Sequence, residues 1–436
     1  MSDQTIILGG GVTGLAAGIA SGLPVYEAKE TCGGICSSYY VQPGSRERLH
    51  TAPADGEAYR FEIGGGHWIF GGDPAVLRFL SDLAPMKSYE RRSSVYFRDR
   101  DVYVPFPLQD NLRFLPQDVA AQALAEMARP GGSFRTMKEW LEASFGPTLC
   151  RLFFSSFHEL YTAGLYKEIA PQDAYKSPVN LPQAIRGAFG EAAPAGYNVK
   201  FVYPIDGLNT LAQQMANRTR VLYGKRVVQI DLPKREIAFA DGTGVRYGRL
   251  LSTLPLNRML ELTGVDAGAP SDPYTGVLVL NIGAVRGPKC PSDHWLYNPD
   301  TKSGFHRVGF YSNVDSSFLP RSSQGDGKRV SIYIERAYVG GQTPTESEVA
   351  AYQKAVEKEL QHWDYLGDVE VDDPTWIDVA YTWSRPGSPW RAQAMRRLEE
   401  HDIYPVGRYG RWVFQGIADS VRDGFLVGAS FKDHGR

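Results

Sequence analysis

The sequence has few cysteines, no excess of either charge sign and no long apolar run. Four cysteines in 436 residues are too sparse for a disulfide scaffold. The 47 basic and 49 acidic residues balance, which argues against nucleic acid or an anionic membrane as a partner. The longest apolar run, GVLVLNIGAV at 276–285, is too short to span a bilayer and predicts a buried strand. Because the N-terminal MSDQTIILGGG has no signal-peptide pattern, we expect a cytoplasmic protein.

A dinucleotide-binding pattern opens the chain. TIIL at 5–8 predicts a strand, and Gly9, Gly11 and Gly14 then lead into an alanine-rich helix. Gly9 would permit the tight turn, and Gly11 would let a pyrophosphate approach the backbone at the helix N-terminus. Gly14 would let helix and strand pack closely. Such a strand, turn and helix predict a Rossmann-type site.

The second predicted strand, LPVYEA at 23–28, extends the same pattern. It places Glu27 near its end, at the spacing of a carboxylate that accepts hydrogen bonds from an adenosine ribose. A second glycine pair, Gly33 and Gly34, follows at once. An NAD fingerprint does not include such a pair, whereas it suits the longer FAD molecule. An ordinary Gly-Gly turn is the alternative.

The stretch FEIGGGHWIFG at 61–71 is a candidate ligand contact. Its three glycines would let the backbone approach a ligand closely, with Gly65 and Gly66 directly before His67. No neighbouring His, Cys or Asp offers a second ligand, so a metal site is disfavoured. The pair Cys32 and Cys36 also lacks partners for zinc. His67 is therefore either a cofactor neighbour or a packed core histidine, and we expect no metal.

The segment HWLYNPDTKSGFHRVGFYSN at 294–313 predicts a hairpin whose side chains could bind a ligand. Trp295 and Tyr297 lie on one face of its first strand, and Arg307 lies on the returning strand. Aromatic rings beside a guanidinium suit a base or sugar next to a phosphate. The alternative is a hairpin with a solvated arginine.

Two later segments, FVYPIDGLNTLAQQM at 201–215 with the hairpin after it and IYPVGRYGRWVFQGIADSVRDGFLVG at 403–428, complete a resemblance. With the glycine elements, they resemble the large FAD family that includes amine oxidases, protoporphyrinogen oxidase and UDP-galactopyranose mutase. The resemblance implies FAD as the cofactor and His67 beside the flavin ring. It also assigns four further cofactor contacts: Val227 at the adenine, Arg408 near the isoalloxazine, and Asp419 and Ser420 near the ribityl chain and pyrophosphate.

Within that family the chain most resembles UDP-galactopyranose mutases of the eukaryotic type. Trp295, Tyr297 and Arg307 have matching spacing, and the resemblance implies that this arginine binds the substrate diphosphate. The loop GGGHWIFG matches the mutases' Gly-Gly-His loop, which responds to flavin reduction. The segments YVPFPLQDNL and GYNVKFVYP imply further substrate contacts at Phe106, Gln109 and Asn198.

The chain departs from the mutases at the diphosphate. This chain has Phe414 and Ser388 at the positions where the mutases have tyrosines. Their second phosphate-binding arginine has no clear match, and Lys176 and Arg186 are the candidates. A changed nucleotide sugar or altered chemistry is therefore an open alternative.

We expect a glutathione-reductase-like α/β fold with an FAD-binding Rossmann domain, a β-sheet substrate domain and a helical insertion. Long chains of this size usually divide into more than one lobe. The predicted boundaries are 1–90, 200–265 and 371–436 for the FAD domain, 91–110 and 266–370 for the substrate sheet, and 111–199 for the insertion.

The resemblance implies a mutase that uses reduced FAD (FADH⁻) to interconvert pyranose and furanose forms of a nucleotide-diphosphate sugar. No net redox change occurs, and NAD(P)H or another reductant would keep the flavin reduced. Catalytic roles would fall to His67 and Arg307. One alternative is an FAD-dependent oxidase or dehydrogenase for an amine, porphyrinogen or polyene. A flavin-binding protein without catalysis is the other.

Overall fold

The computed structural model describes residues 4–129, 131–171, 179–190 and 199–432. Short strands alternate with helices near the N-terminus, and the longest strands follow residue 273. In chain order the strands are β1 (Thr5–Leu8), β2 (Val25–Tyr26), β3 (Ser38–Val41), β4 (Tyr59–Glu62), β5 (Ile69–Phe70), β6 (Met86–Glu90), β7 (Ser93–Phe97), β8 (Val102–Pro105), β9 (Lys200–Pro204), β10 (Val221–Leu222), β11 (Val227–Asp231), β12 (Glu236–Phe239), β13 (Gly244–Arg246), β14 (Arg249–Ser252), β15 (Tyr274–Arg286), β16 (Trp295–Tyr297), β17 (Arg307–Phe310), β18 (Arg329–Val339), β19 (Leu366–Thr382) and β20 (Ile403–Pro405).

The helices differ in how their first turns are satisfied. Thr136 and Thr345 cap α4 and α10 through their side chains, whereas α1 and α13 begin at Gly11 and Gly416 without a side-chain cap. In chain order the helices are α1 (Val12–Ser21), α2 (Pro74–Leu83), α3 (Gln117–Met127), α4 (Met137–Leu149), α5 (Ser155–Tyr161), α6 (Leu181–Phe189), α7 (Leu208–Ala216), α8 (Leu256–Thr263), α9 (Tyr311–Val314), α10 (Glu346–His362), α11 (Trp390–Glu399), α12 (Gly407–Gly410) and α13 (Ile417–Ser430).

The first sheet is a parallel, Rossmann-like sheet with the strand order β10-β2-β1-β14-β20. Its strands come from three distant parts of the chain. Helix α13 packs closely along α1, and glycine makes this possible. A Cβ on Gly424 would lie only 2.2 Å from the Thr13 carbonyl oxygen. A Cβ on Gly428 would lie 2.5 Å from the Ala17 carbonyl oxygen. These small residues bring the last helix to the edge of the nucleotide-binding unit.

The second large sheet is mixed and has the order β19-β15-β18-β17-β16-β7-β8. Neighbouring strands are antiparallel except for β16 and β7, which pair in parallel. The predicted buried run 276–285 forms the centre of β15, and nearly all of that strand is buried. Strands that are distant in the chain therefore become neighbours in this sheet, since β15 lies beside β18 and β16 lies beside β7.

The helices α3 to α6 form a separate layer against β7 and β8. A π-helical turn, Cys150–Phe154, joins α4 to α5. Their apolar side chains share one core with Val95 and Val104 of the large sheet. This layer closes one side of the cavity described below. Over the described ranges, no helix combines the length and apolar character needed to cross a bilayer.

Several local predictions match the described structure. TIIL is β1, and the hairpin expected after residue 215 includes β12 and β13, which the turn at Asp241-Gly242 joins with Gly242 at φ 81°, as a tight turn requires. The expected α/β architecture, with a parallel Rossmann-type sheet and a large mixed sheet, is also confirmed. The domain boundaries stay predictions, and β19 runs across the one at 370.

Candidate active site

A cavity of about 710 Å³ lies between the parallel sheet, the large sheet and the helical layer. Its volume falls within the range of small-molecule sites. Segments from both ends and the middle of the chain meet there. Among the residues predicted from sequence, those in its lining are Gly9, Gly11, Glu27, Gly33, Gly34, Gly66, His67, Phe106, Tyr297, Arg307, Arg408, Phe414, Asp419 and Ser420.

The first glycine turn serves both packing and access. A Cβ on Gly14 would lie 1.9 Å from the Gly9 carbonyl oxygen, so only glycine lets α1 pack against the turn. A Cβ on Gly11 would meet nothing within 4 Å, because that position faces open space. The second turn lies against the first, since Gly33 N donates to the Gly10 carbonyl at 2.8 Å. The two glycine turns thus meet at the cavity, where their glycines expose the backbone.

Glu27 lies at the end of β2 beside these turns. Its carboxylate accepts hydrogen bonds from Gly10 N at 2.7 Å and Lys29 N at 2.8 Å. Its backbone carbonyl accepts from Lys225 N at 2.8 Å, which brings the start of β11 to this end of the site. Val227 itself is not in the cavity lining. It contributes to a separate depression beside α8 that also includes Arg258.

The N-termini of α1 and α13 both reach the cavity. Gly11 and Gly416 begin them without side-chain caps, and Asp419 Oδ2 accepts from Gly416 N at 3.2 Å. Backbone N–H groups at helix N-termini attract anions. With the open face of Gly11, this arrangement fits the pyrophosphate of a dinucleotide. Asp419 and Ser420 lie one helical turn into α13, at the same edge.

The glycine loop before His67 is shaped by what it packs against. His67 Nδ1 lies 2.8 Å from the Gly64 carbonyl, and a Cβ on Gly64 would lie 2.2 Å from the imidazole. Gly65 has φ 74°, and a Cβ there would lie 2.8 Å from Glu335 Oε1. Burial lowers the pKa of His67 to about 4, with a further contribution from Arg408. The histidine is therefore neutral near pH 7.

Arg307 forms a buried ion pair with Glu335. The two residues are cross-strand partners on β17 and β18, and Arg307 Nη2 lies 2.5 Å from both Glu335 carboxylate oxygens. Arg307 Nε donates to Oε2 at 3.1 Å. The glutamate side chain is 2% exposed, whereas the arginine is 20% exposed. Burial alone would raise the pKa of Glu335, but Arg307 outweighs it and lowers that pKa to about 2. Both side chains are therefore ionised, and the pair has almost no net charge.

Arg408 lies in a ring of carbonyls and aromatic side chains. Its Nη1 donates to the Gln415 carbonyl at 3.1 Å and its Nη2 to the Ala380 carbonyl at 3.0 Å. The guanidinium lies 4.7 Å from the Phe414 ring centroid and 5.5 Å from that of Tyr381. Such contacts hold a cation in place through ring quadrupoles. Phe414, which stands where the mutases have tyrosine, therefore packs on this arginine.

The part of the cavity away from the glycine turns is strongly aromatic. Tyr297 packs against Phe106 with ring centroids 4.6 Å apart, and Phe157 stacks on Tyr161 at 5.5 Å. Sequence analysis missed the contribution of the helical layer and of the end of β19. Apart from Phe106 and Tyr297, the residues lining this wall are Met137, Trp140, Phe153, Phe157, His158, Tyr161, Tyr381 and Trp383.

The spacing of aromatic residues in the sequence indicates part of this wall. Phe153, Phe157 and Tyr161 recur every four residues, which predicts one helical face. Tyr381 is the phenol nearest in sequence to the expected tyrosine position at Ser388. It reaches the cavity, whereas Ser388 does not line it.

Some predicted residues lie elsewhere. Trp295 is 1% exposed and packs against Phe70 and Phe201 beneath the cavity. Gln109 is buried in a turn, Leu108–Asp110, outside the lining. Arg186 is exposed on α6. Lys176 and Asn198 lie outside the described residues.

Comparison with known proteins identifies the family. The profile described as flavin-containing amine oxidoreductase matches residues 22–409. The chain belongs to this family. A crystal structure of reduced UDP-galactopyranose mutase is 20% identical, covers 98% of this chain and 95% of its own, and superposes with a TM-score of 0.80.

Other solved structures are similar over nearly the whole chain but less closely. A fatty acid isomerase from P. acnes that produces CLA is 14% identical, with 99% of each chain covered and a TM-score of 0.59. Putrescine oxidase bound to putrescine is 17% identical, with 98% of each chain covered and a TM-score of 0.54. At these identities the likeness describes the fold.

Proposed function

We propose that this flavoprotein is a reduced-FAD-dependent mutase that interconverts pyranose and furanose forms of a nucleotide-diphosphate sugar. One arrangement carries the proposal: the Phe106–Tyr297 aromatic pair, with its rings tilted by 44°, lies in the same cavity as the Arg307 guanidinium and the His67 loop. A base, a diphosphate and a sugar need these three environments in that order. The higher TM-score with the mutase than with the fatty acid isomerase or putrescine oxidase supports the same choice.

The proposal assigns FAD to the glycine-lined end of the cavity. The uncapped N-terminus of α1 would hold the pyrophosphate, and Glu27 would meet the ribose. Arg408 and the loop at Gly65 and Gly66 would border the ring. When bound and reduced, FAD supplies a nucleophile for the anomeric carbon of the sugar.

The remaining tasks fall to side chains of the large sheet and the helical layer. Arg307 would stabilise the diphosphate as charge develops on it, because a fixed guanidinium in a dry site needs no reorganisation. Its Nη1 makes no hydrogen bond within the described ranges and is the group available for a phosphate oxygen. Neutral His67 would accept or donate a hydrogen bond at the sugar. The aromatic wall would exclude water.

The test is product analysis with a panel of uridine-, thymidine-, cytidine- and guanosine-linked sugars. Each sugar is incubated with enzyme reduced by dithionite under nitrogen and, as the matched control, with the oxidised enzyme. A furanose product that forms only with reduced flavin, without consumption of electrons, supports the mutase. The absence of product across the panel contradicts it.

One observation favours an oxidase or dehydrogenase instead. The ion pair with Glu335 neutralises Arg307, and the wall around it is mostly aromatic, which suits an apolar amine, porphyrinogen or polyene. This alternative predicts oxygen uptake, or reduction of another acceptor, with such a substrate. Substrate-dependent bleaching of the oxidised flavin would distinguish it from the mutase, because the mutase transfers no electrons to or from its substrate.

A further inference from the structure

A histidine shares the carboxylate that binds Arg307. His306 directly precedes Arg307, and its backbone N donates to the Glu335 carbonyl at 3.0 Å. Its Nε2 lies 3.5 Å from Glu335 Oε2, which is the outer limit of a hydrogen bond. The residue is 1% exposed, and neither ring nitrogen has a well-formed hydrogen bond within the described part of the chain. His306 thus borders the cavity with unused hydrogen-bonding capacity.

The charge of this cluster depends on the protonation of His306. The groups that face its ring are Glu335 from β18, Arg307 next to it in the chain, and Tyr161 from α5 at a centroid distance of 5.2 Å. With neutral His306, the Arg307–Glu335 pair has no net charge. With protonated His306, the cluster carries one positive charge, which an incoming diphosphate requires because Arg307 is otherwise neutralised.

We infer that His306 takes up a proton when the nucleotide sugar binds, pairs with Glu335, and so makes more of the Arg307 guanidinium available to the diphosphate. The proton comes from solvent and returns to it when the product leaves. This inference rests on the proposed function. His306 is a positioning residue, because it acts through Glu335 and Arg307 rather than by contact with the reacting atoms.

The electrostatics agree with this geometry. In the free protein, burial lowers the pKa of His306 despite the opposing effect of Glu335, so the ring is neutral. A bound diphosphate adds negative charge nearby and raises that pKa, since an opposite charge favours the protonated form. Binding then consumes a proton, and affinity falls as pH rises through the pKa range of the complex.

The experiment is calorimetric titration of the oxidised holoenzyme with UDP-galactose in two buffers that differ in ionisation enthalpy. A diphosphate diester has no group of its own that titrates between about pH 6 and 8, the range in which histidine changes charge. We expect proton uptake on binding and an affinity that falls about tenfold per pH unit within the linked range.

Two variants and a control make the test specific. His306→Gln and the more apolar His306→Phe should bind UDP-galactose more weakly than the native enzyme, with no proton uptake and with a flat pH profile. His294→Gln should keep the uptake, because this other buried histidine lies outside the cavity lining and accepts a hydrogen bond from Arg92 Nε at 3.2 Å. Flavin content and far-ultraviolet circular dichroism establish that each variant is folded.

Three outcomes would overturn the inference: binding without proton uptake, uptake that persists in both His306 variants, or no binding of UDP-galactose. The first two leave the mutase proposal intact, because the furanose product from reduced enzyme is measured separately. Turnover of another nucleotide sugar without proton uptake would reject the role of His306 alone.

Discussion

The two ends of the cavity are built in different ways. The glycine-lined end presents backbone: Gly9, Gly11 and Gly33 bring N–H groups and helix N-termini to the surface, and few side chains intervene. The aromatic end presents side chains from β16, β17, β18, β19 and the helical layer. Glycine spacing can be read locally, whereas the aromatic end depends on which strands become neighbours. The first end is therefore predictable from motifs, and the second is not.

The largest expected effect is at the aromatic end. Glu335→Gln leaves the Arg307 charge without its buried partner, which should lower the free energy of unfolding by about 3–5 kcal/mol. The measurement is denaturant unfolding of the holoenzyme. Asp231→Asn is the control, because its pair with the exposed Lys234 lies at the surface, where solvent screening leaves it little effect on stability. Equal losses in both variants would show that burial does not distinguish the two pairs.

The next effect is on activity. In the mutase assay, Arg307→Ala should lower kcat/KM by an amount equivalent to about 2–4 kcal/mol, because it removes a fixed charge from the diphosphate. Arg307→Lys keeps the pairing with Glu335 but loses the planar fork, and should recover only part of the rate. Arg336→Ala, on the neighbouring strand but outside the cavity lining, serves as the control. Near-normal turnover in Arg307→Ala would remove this residue from the proposed mechanism.

At the glycine-lined end, two glycines should respond in opposite ways. Gly14→Ala places a Cβ 1.9 Å from a carbonyl oxygen and should destabilise the protein by about 1–3 kcal/mol. Gly11→Ala has open space for its Cβ, so the fold should persist. The added methyl group would occupy the proposed pyrophosphate position at the N-terminus of α1, so flavin should be lost. The ratio of flavin to protein absorbance and thermal unfolding separate these effects. Full flavin content in Gly11→Ala would contradict the assignment of this turn.

The smallest effect near neutral pH is at His67, where the expected change is a pH dependence confined to the acidic range. Its pKa falls from 6.5 to about 4 on folding, so the unfolded state binds the proton more strongly. The stability contributed by the neutral ring is complete above pH 6.5 and is lost as pH falls toward 4. His67→Gln should flatten the unfolding free energy over this window, while His401→Gln, at an exposed position, should not. An unchanged slope in His67→Gln would contradict the lowered pKa of this imidazole.

Much of the fold was readable because its signals are local. The spacing of Gly9, Gly11 and Gly14 after an apolar strand specifies a turn that only a few backbone geometries satisfy. The Asp241-Gly242 turn likewise depends on neighbouring residues alone. Family resemblance then ordered the distant segments and predicted that Arg307 and the glycine loop meet.

The sequence by itself determined the glycine turns and the buried strand β15, whereas the resemblance to a family was needed to predict a shared site for Phe106, Tyr297 and Arg307. Only the tertiary structure decided that Arg307 is held in an ion pair, because Glu335 lies 28 residues away in sequence and becomes its partner through the β17–β18 register. It also decided that Trp295 lies beneath the cavity while Phe157, Tyr161 and Tyr381 line it. Burial and cross-strand pairing are properties of the packed chain, and no local pattern contains them.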